Sequence, residues 1–329
     1  MMNNTILKVS NLKTHFFTRH GTVKAVNGID FELHRGECLC LVGESGCGKT
    51  VTALSILGLI DSPPGRIVDG KVIYSNLDLL ECTPEQLRGT RGKEIAMVFQ
   101  DAQSALNPVF TIGDQIVEQI RTHLRMEKKA AQSRAITLLQ EMGIPSAEKA
   151  MTYYPHHLSG GMRQRAMIAM SLSCDPQILI ADEPTTAVDV TIRAQILDLF
   201  RDLKMRKQMS LLFITHDLGV VAEIGDRAAI VYGGKVVETA TVSEIINNPK
   251  HPYTVGLINC LPDISKTTDR LISIPGTIPI ATDLPQGCPF HPRCHQAMEI
   301  CRRQEPPQVN VSERHIINCH IYRETDDQS

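Results

Sequence analysis

The sequence predicts an α/β fold built on a parallel sheet, and three observations carry the prediction. Two apolar runs, Ile178–Ala181 and Leu211–Ile214, do not alternate with polar residues, as suits strands covered on both faces. A glycine-rich segment, Gly43-Glu44-Ser45-Gly46-Cys47-Gly48-Lys49-Thr50, sits between a short apolar run and a helical pattern. Helical spacing recurs between the glycine-rich segment and these strands, at 111–142 and again after Leu158.

From the start of the chain, Thr5–Val9, Ala25–Leu33 and Cys38–Val42 read as strands, and Thr52, Leu54, Ile56 and Leu57 give the helix after the glycine segment. Residues 61–95 carry turn signals at Pro63, Pro64, Gly65 and Asn76. A strand-like run, Ile95–Phe99, ends at Gln100. Beyond Thr111, Ile112, Ile116, Ile120 and Leu124 share one helical face, and Ile136, Leu139 and Met142 another. The basic residues there (Arg121, Arg125, Lys128, Lys129, Arg134) read as a solvated helix face. Past Pro249 prolines become frequent and periodicity fades, which places a domain boundary near 248 and divides the chain into 1–248 and 249–329. No internal repeat is evident.

Lys plus Arg number 34 and Asp plus Glu 36 in 329 residues, a net charge of −2 that makes no whole-molecule case for a nucleic acid partner. The longest apolar stretch, Val51–Ile60, is far short of the roughly 18 residues that a membrane span needs. The opening MMNNTILKVS lacks a signal-peptide pattern. The expectation is a cytoplasmic protein whose membrane role, if any, runs through a separate chain.

The segment 43–50 fits G-x-x-x-x-G-K-[ST]. Its glycines let backbone N–H groups converge on phosphate oxygens, and the following helix N-terminus adds partial positive charge. Lys49 can reach the β- and γ-phosphates and Thr50 can ligate Mg²⁺. Two acids, Asp182 and Glu183, end the buried strand begun at Ile178; Asp182 suits Mg²⁺, and Glu183 suits the water that attacks the γ-phosphate. Ser159, Gly160 and Gly161, opening a helix at about Met162, form a second anion-receptive surface. The first surface already holds one triphosphate, so the second is left for a nucleotide on another subunit. That implies a head-to-tail dimer with sandwiched nucleotides.

Ten cysteines are unevenly placed. Four crowd the end with the spacing Cys288-x5-Cys294-x6-Cys301-x17-Cys319. In a reducing compartment this reads as metal binding before disulfide, with zinc and an iron–sulfur cluster both open.

In order and spacing, GESGCGKT, LSGGM and ILIADE resemble the ATP-binding cassette of ABC transporters over about residues 5–248. The resemblance implies a RecA-like P-loop NTPase core with an antiparallel β subdomain and a helical subdomain at about 101–165. It assigns Gln100 to the glutamine loop that senses Mg²⁺ and water and faces the membrane subunit. It assigns Asp189 to the D-loop, His216 to the switch histidine near the γ-phosphate, and Phe16, or adjacent Phe17, to the aromatic stacked on adenine. Met162 stands where glutamine is commoner in the signature, and Val188 where leucine is commoner in the D-loop.

His251-Pro252-Tyr253-Thr254 after Asn248-Pro249-Lys250, and Cys-Pro-Phe-His-Pro-Arg-Cys at 288–294, resemble the C-terminal extension of oligopeptide and dipeptide importer ATPases. This implies a [4Fe–4S] cluster on Cys288, Cys294, Cys301 and Cys319, with Zn²⁺ as the alternative. It also implies a peripheral ATPase on the cytoplasmic face of the membrane. Its partners would be a second ATPase (self or a related chain), two transmembrane permeases and, indirectly, an extracytoplasmic peptide-binding protein. An ABC ATPase for another solute, in import or export, is disfavoured by the tail. A non-transport ABC ATPase acting on nucleic acid or ribosomes is disfavoured by the single cassette and the lack of heptads between Lys49 and Ser159. A P-loop kinase or GTPase leaves LSGGM unexplained.

Overall fold

The computed structural model describes residues 4–186, 189–260 and 274–323. Val188 of the expected D-loop lies outside them. In chain order the elements are β1 (Thr5–Thr18), β2 (Gly21–His34), β3 (Cys38–Val42), α1 (Lys49–Ile56), β4 (Gly65–Tyr74), β5 (Leu77–Asp78), α2 (Pro84–Thr90) and β6 (Ile95–Val98). Then come α3 (Ala102–Ala105), α4 (Ile112–Leu124), α5 (Lys128–Glu141), α6 (Ala147–Ala150), α7 (Gly160–Ser171), β7 (Ile178–Asp182), α8 (Val190–Lys207) and β8 (Ser210–Thr215). The chain continues through α9 (Leu218–Ile224), β9 (Arg227–Tyr232), β10 (Lys235–Thr241), α10 (Val242–Asn247), α11 (Pro252–Asn259), β11 (Gln308–Ser312) and β12 (His315–Asn318).

These elements fall into two compact units. The first gathers Leu33–Cys38 and Glu81–Ile214, with Asn4. In it β6, β7 and β8 pair in parallel, with Ile95 opposite Ile178 and Ile178 opposite Ser210. Every residue of these three strands is buried, which is why their sequences are apolar on both faces. The helical stretch expected over 111–142 forms two helices, α4 and α5. Thr111 caps α4 by accepting the Asp114 N–H at 3.1 Å, and α4 ends where Arg125 turns left-handed at φ 54°. Its buried face carries Ile112, Ile116 and Ile120, as the spacing predicts. The buried face of α5 is Ala131, Ala135, Leu138 and Leu139; Ile136 is half-buried. Small alanines let the helices approach closely, a role hydrophobic spacing alone does not reveal.

The second unit gathers Thr5–Glu32, Leu39–Leu80 and the described part of Thr215–Ser329. One sheet runs β2-β1-β4-β5, with β4 antiparallel to both β1 and β5; Leu7 lies opposite Tyr74 and Phe16 opposite Gly65. Elsewhere β3 runs parallel to β9, with Leu39 opposite Arg227 and Val42 opposite Ile230. Antiparallel β10 follows, then the C-terminal β12 and β11.

Ordinary packing holds the C-terminal segment. Tyr232, Tyr253 and Phe290 form one aromatic cluster with ring centroids 4.6 to 5.3 Å apart. The buried Glu238 carboxylate accepts the N–H groups of Lys250 (2.8 Å) and His251 (2.9 Å) and meets His315 Nε2 at 2.6 Å. This corrects the metal expectation. Among the described residues, no group of three or more His, Cys, Asp or Glu side chains could hold a metal ion. Burial pushes the Cys288 thiol up to about 12 and the Cys319 thiol up to about 11, and it raises Cys294 as well. Neither the iron–sulfur cluster nor zinc on Cys288, Cys294, Cys301 and Cys319 is supported. The cysteine spacing instead accompanies short 3-10 turns at His291–Arg293 and Glu299–Arg302, with the Cys288 N–H donating to the Cys301 carbonyl at 2.8 Å. No helix among the described residues is long and apolar enough to cross a membrane.

Candidate nucleotide site

In the second unit, residues 43–50 join the end of β3 to α1. A Cβ on Gly43 would lie 2.3 Å from the Val231 carbonyl oxygen, and one on Gly48, at φ +103°, would lie 2.2 Å from that of Ala25. Both positions demand glycine. Gly46 also has a positive φ, +83°, but a Cβ there would meet nothing within 4 Å. The loop is thus packed at both ends and open in the middle, where Ser45 and Gly46 are exposed. A polyanion can approach the loop backbone at that open centre.

Lys49 is buried and donates to the carbonyl oxygens of Gly43 (2.8 Å) and Glu44 (3.1 Å). Its ammonium therefore lies against the loop. The Cys47 thiol is buried, which raises its pKa and leaves a neutral packing group. Thr50 is exposed at the start of α1. The Gly234 N–H bonds the Cys47 carbonyl at 3.1 Å and ties the loop to the β9–β10 turn. Phe16 is half-buried on β1, while Phe17 is exposed. His216 is exposed just after β8, followed by Asp217, which caps α9 by accepting the Gly219 N–H at 2.8 Å.

In the first unit, β7 delivers Asp182, buried, at its end. Glu183 follows in the left-handed region at φ 44°. Its carboxylate accepts from Gln100 Nε2 at 3.2 Å and from the Thr186 hydroxyl at 2.9 Å. The structure thus brings together two residues assigned from separate motifs, and it adds Thr186, which the motifs did not single out. Ser159 caps α7, accepting the Met162 N–H at 3.3 Å. A Cβ on Gly160 would meet nothing, whereas one on Gly161 would crowd Ile192 at 3.3 Å. Gln164 donates to the Pro184 carbonyl at 2.8 Å, joining α7 to the turn after Glu183. Asp189 caps α8 by accepting the Ile192 N–H at 2.9 Å.

An open-centred glycine loop after a parallel strand, with paired acids at the end of another, defines a P-loop nucleoside triphosphatase. A family model for "ABC transporter" matches residues 26–186, and one for "Oligopeptide/dipeptide transporter, C-terminal region" matches 237–301. The chain is 48% identical to the oligopeptide transport ATP-binding protein AppD of Bacillus subtilis, covering 98% of both chains. It is 47% identical to the dipeptide transport ATP-binding protein DppD of the same organism, covering 96% of this chain and 94% of that one. A dimeric structure of the bacterial ABC transporter cassette MJ0796 matches with a TM-score of 0.65 at 25% identity, covering 72% of this chain and 98% of that one. The chain belongs to the oligopeptide/dipeptide transport ATP-binding proteins of the ABC transporter family. It has the ABC cassette fold and is an ATPase.

Proposed function

We propose that this chain is the ATP-hydrolysing subunit of a peptide importer. One observation carries the reading: 48% identity to an oligopeptide transport ATP-binding protein across 98% of both chains, C-terminal segment included. The division into a cassette of 1–248 and an extension of 249–329 belongs to this reading. It is supported by one family model ending at 186 and another beginning at 237.

In this reading ATP lies on Gly43–Thr50, with Lys49 on its β- and γ-phosphates and Phe16, or Phe17, against adenine. Thr50, Asp182 and Gln100 would hold Mg²⁺, which when bound would neutralise phosphate charge. Glu183, aimed by Gln100 and Thr186, takes a proton from the water as its oxygen bonds to the γ-phosphorus. The bond from that phosphorus to the bridging oxygen breaks, and ADP leaves with the electron pair. His216 steadies the γ-phosphate. Ser159, Gly160 and Gly161 reach the nucleotide of a partner ATPase, and Asp189 lies near that interface. The dimer closes on ATP and reopens after hydrolysis, driving two permeases fed by an external peptide-binding protein. The chain would then sit at the cytoplasmic face of the membrane.

The test is ATP-dependent peptide uptake by the assembled transporter in vesicles. Lys49→Ala is expected to abolish both uptake and hydrolysis. Uptake of another solute in place of peptides would overturn the import assignment.

A further inference from the structure

Glu44, second in the phosphate loop, is gripped from far along the chain. Arg293 places both terminal nitrogens on its carboxylate, Nη1 at 2.8 Å and Nη2 at 3.3 Å. Only 4% of the Arg293 side chain is exposed. Its remaining donors are engaged too: Nε bonds the Pro275 carbonyl at 3.0 Å, Nη2 also bonds that of Ile274 at 3.3 Å, and Nη1 also reaches the Tyr232 hydroxyl at 3.4 Å. The guanidinium lies over the Tyr232 ring, 5.8 Å from its centroid. An arginine fixed at so many points holds its carboxylate at a set position, unlike a mobile surface pair.

A second hold acts on the Glu44 backbone. Its N–H donates to the Tyr253 hydroxyl at 3.1 Å, and Tyr253 is fully buried. With Lys49 on the Glu44 carbonyl, this residue is fixed at its N–H, its carbonyl and its carboxylate. Two of those holds come from beyond residue 250, in the segment matched by the C-terminal family model.

We propose that Arg293 and Tyr253 are positioning residues for the phosphate loop, through which the C-terminal segment sets the conformation that receives ATP. The inference rests on reading Gly43–Thr50 as the nucleotide loop. The physical case has two parts. The loop binds phosphate through converging backbone dipoles, so a shift at its second residue misaligns them. Glu44 also places a negative charge within a loop that must accept a polyanion, and Arg293 cancels that charge.

The experiment uses the full chain and measures binding of a fluorescent mant-ATP together with ATP turnover. Arg293→Ala is expected to raise both the mant-ATP Kd and the KM for ATP about tenfold, the scale of one charge-assisted hydrogen-bond pair, with kcat at saturating ATP changed less than about twofold. Adding Glu44→Gln to Arg293→Ala should recover most of that loss, because the uncancelled charge goes with it. Arg293→Lys, which keeps charge without the fork, should fall between wild type and Arg293→Ala. Tyr253→Phe should raise Kd about threefold, the scale of one neutral hydrogen bond. A Kd and KM within about twofold of wild type in Arg293→Ala, or no recovery in the double variant, overturns the proposal. If Arg293→Ala does not fold, unchanged Kd in both Arg293→Lys and Tyr253→Phe overturns it equally. Normal turnover in Lys49→Ala would instead sink the nucleotide-loop reading itself, whatever Arg293 does.

Discussion

Glu183 occupies a left-handed backbone position, φ 44°, which an L-residue adopts at a cost of about 1 kcal/mol or more. The conformation persists because its N–H bonds the Ile214 carbonyl at 2.9 Å while Gln100 and Thr186 hold the carboxylate. An aimed carboxylate in a strained turn fits a general base. Glu183→Gln keeps the shape and an acceptor oxygen but cannot take up the proton. ATP turnover should fall by about a hundredfold or more. ATP affinity should persist, and an ATP-bound dimer should accumulate on size-exclusion chromatography. Wild-type turnover in that variant would remove Glu183 from the base role.

At the scale of elements, α11 depends on a neutral histidine. His251 is fully buried and caps the helix by accepting the Tyr253 N–H on Nδ1 at 3.0 Å. Burial lowers its pKa to about 3. The unfolded chain takes up this proton near pH 6.5, whereas the folded chain does so only near pH 3. The contribution is complete above pH 6.5 and shrinks as pH falls through that window. His251→Asn retains a capping oxygen and removes the titration. The variant should be less stable than wild type at pH 7, from lost packing, and the gap should narrow by pH 4. Urea midpoints at the two pH values measure this, and a constant gap would refute a buried neutral imidazole. Because Tyr253 belongs to α11, acid loosening there should also reach Glu44.

At the scale of the molecule, the proposed dimer separates two lesions that a monomeric site would merge. Lys49 and Ser159 would serve different nucleotides. Ser159→Arg should leave ATP affinity on the chain's own loop near wild type while turnover falls by about a hundredfold, since a bulky side chain blocks closure on the partner's ATP. Lys49→Ala should lose binding itself. Equilibrium binding of labelled ATP, set beside turnover, distinguishes the two. An affinity loss in Ser159→Arg matching that of Lys49→Ala would place both groups on one nucleotide and remove the sandwich.

The glycine-rich loop after β3, the acids at the end of β7 and the capped start of α7 were legible in the sequence because each depends on local rules. Glycine is required where a Cβ collides, an apolar run is required where both strand faces are covered, and a small hydroxyl is favoured at an N-cap. The strands β9 and β10 and helix α8 escaped notice because their identity depends on neighbours rather than on period. The cysteine spacing misled, since motif spacing does not report whether the side chains are arranged to hold a metal ion, and among the described residues no such group is found. Only the tertiary structure could decide that Arg293, 249 residues from Glu44 in the chain, would close on the nucleotide loop. Sequence carries information about a residue's immediate neighbours. Contacts across such distances arise from packing, here an aromatic cluster and a shared sheet that bring the end of the chain back to its phosphate loop.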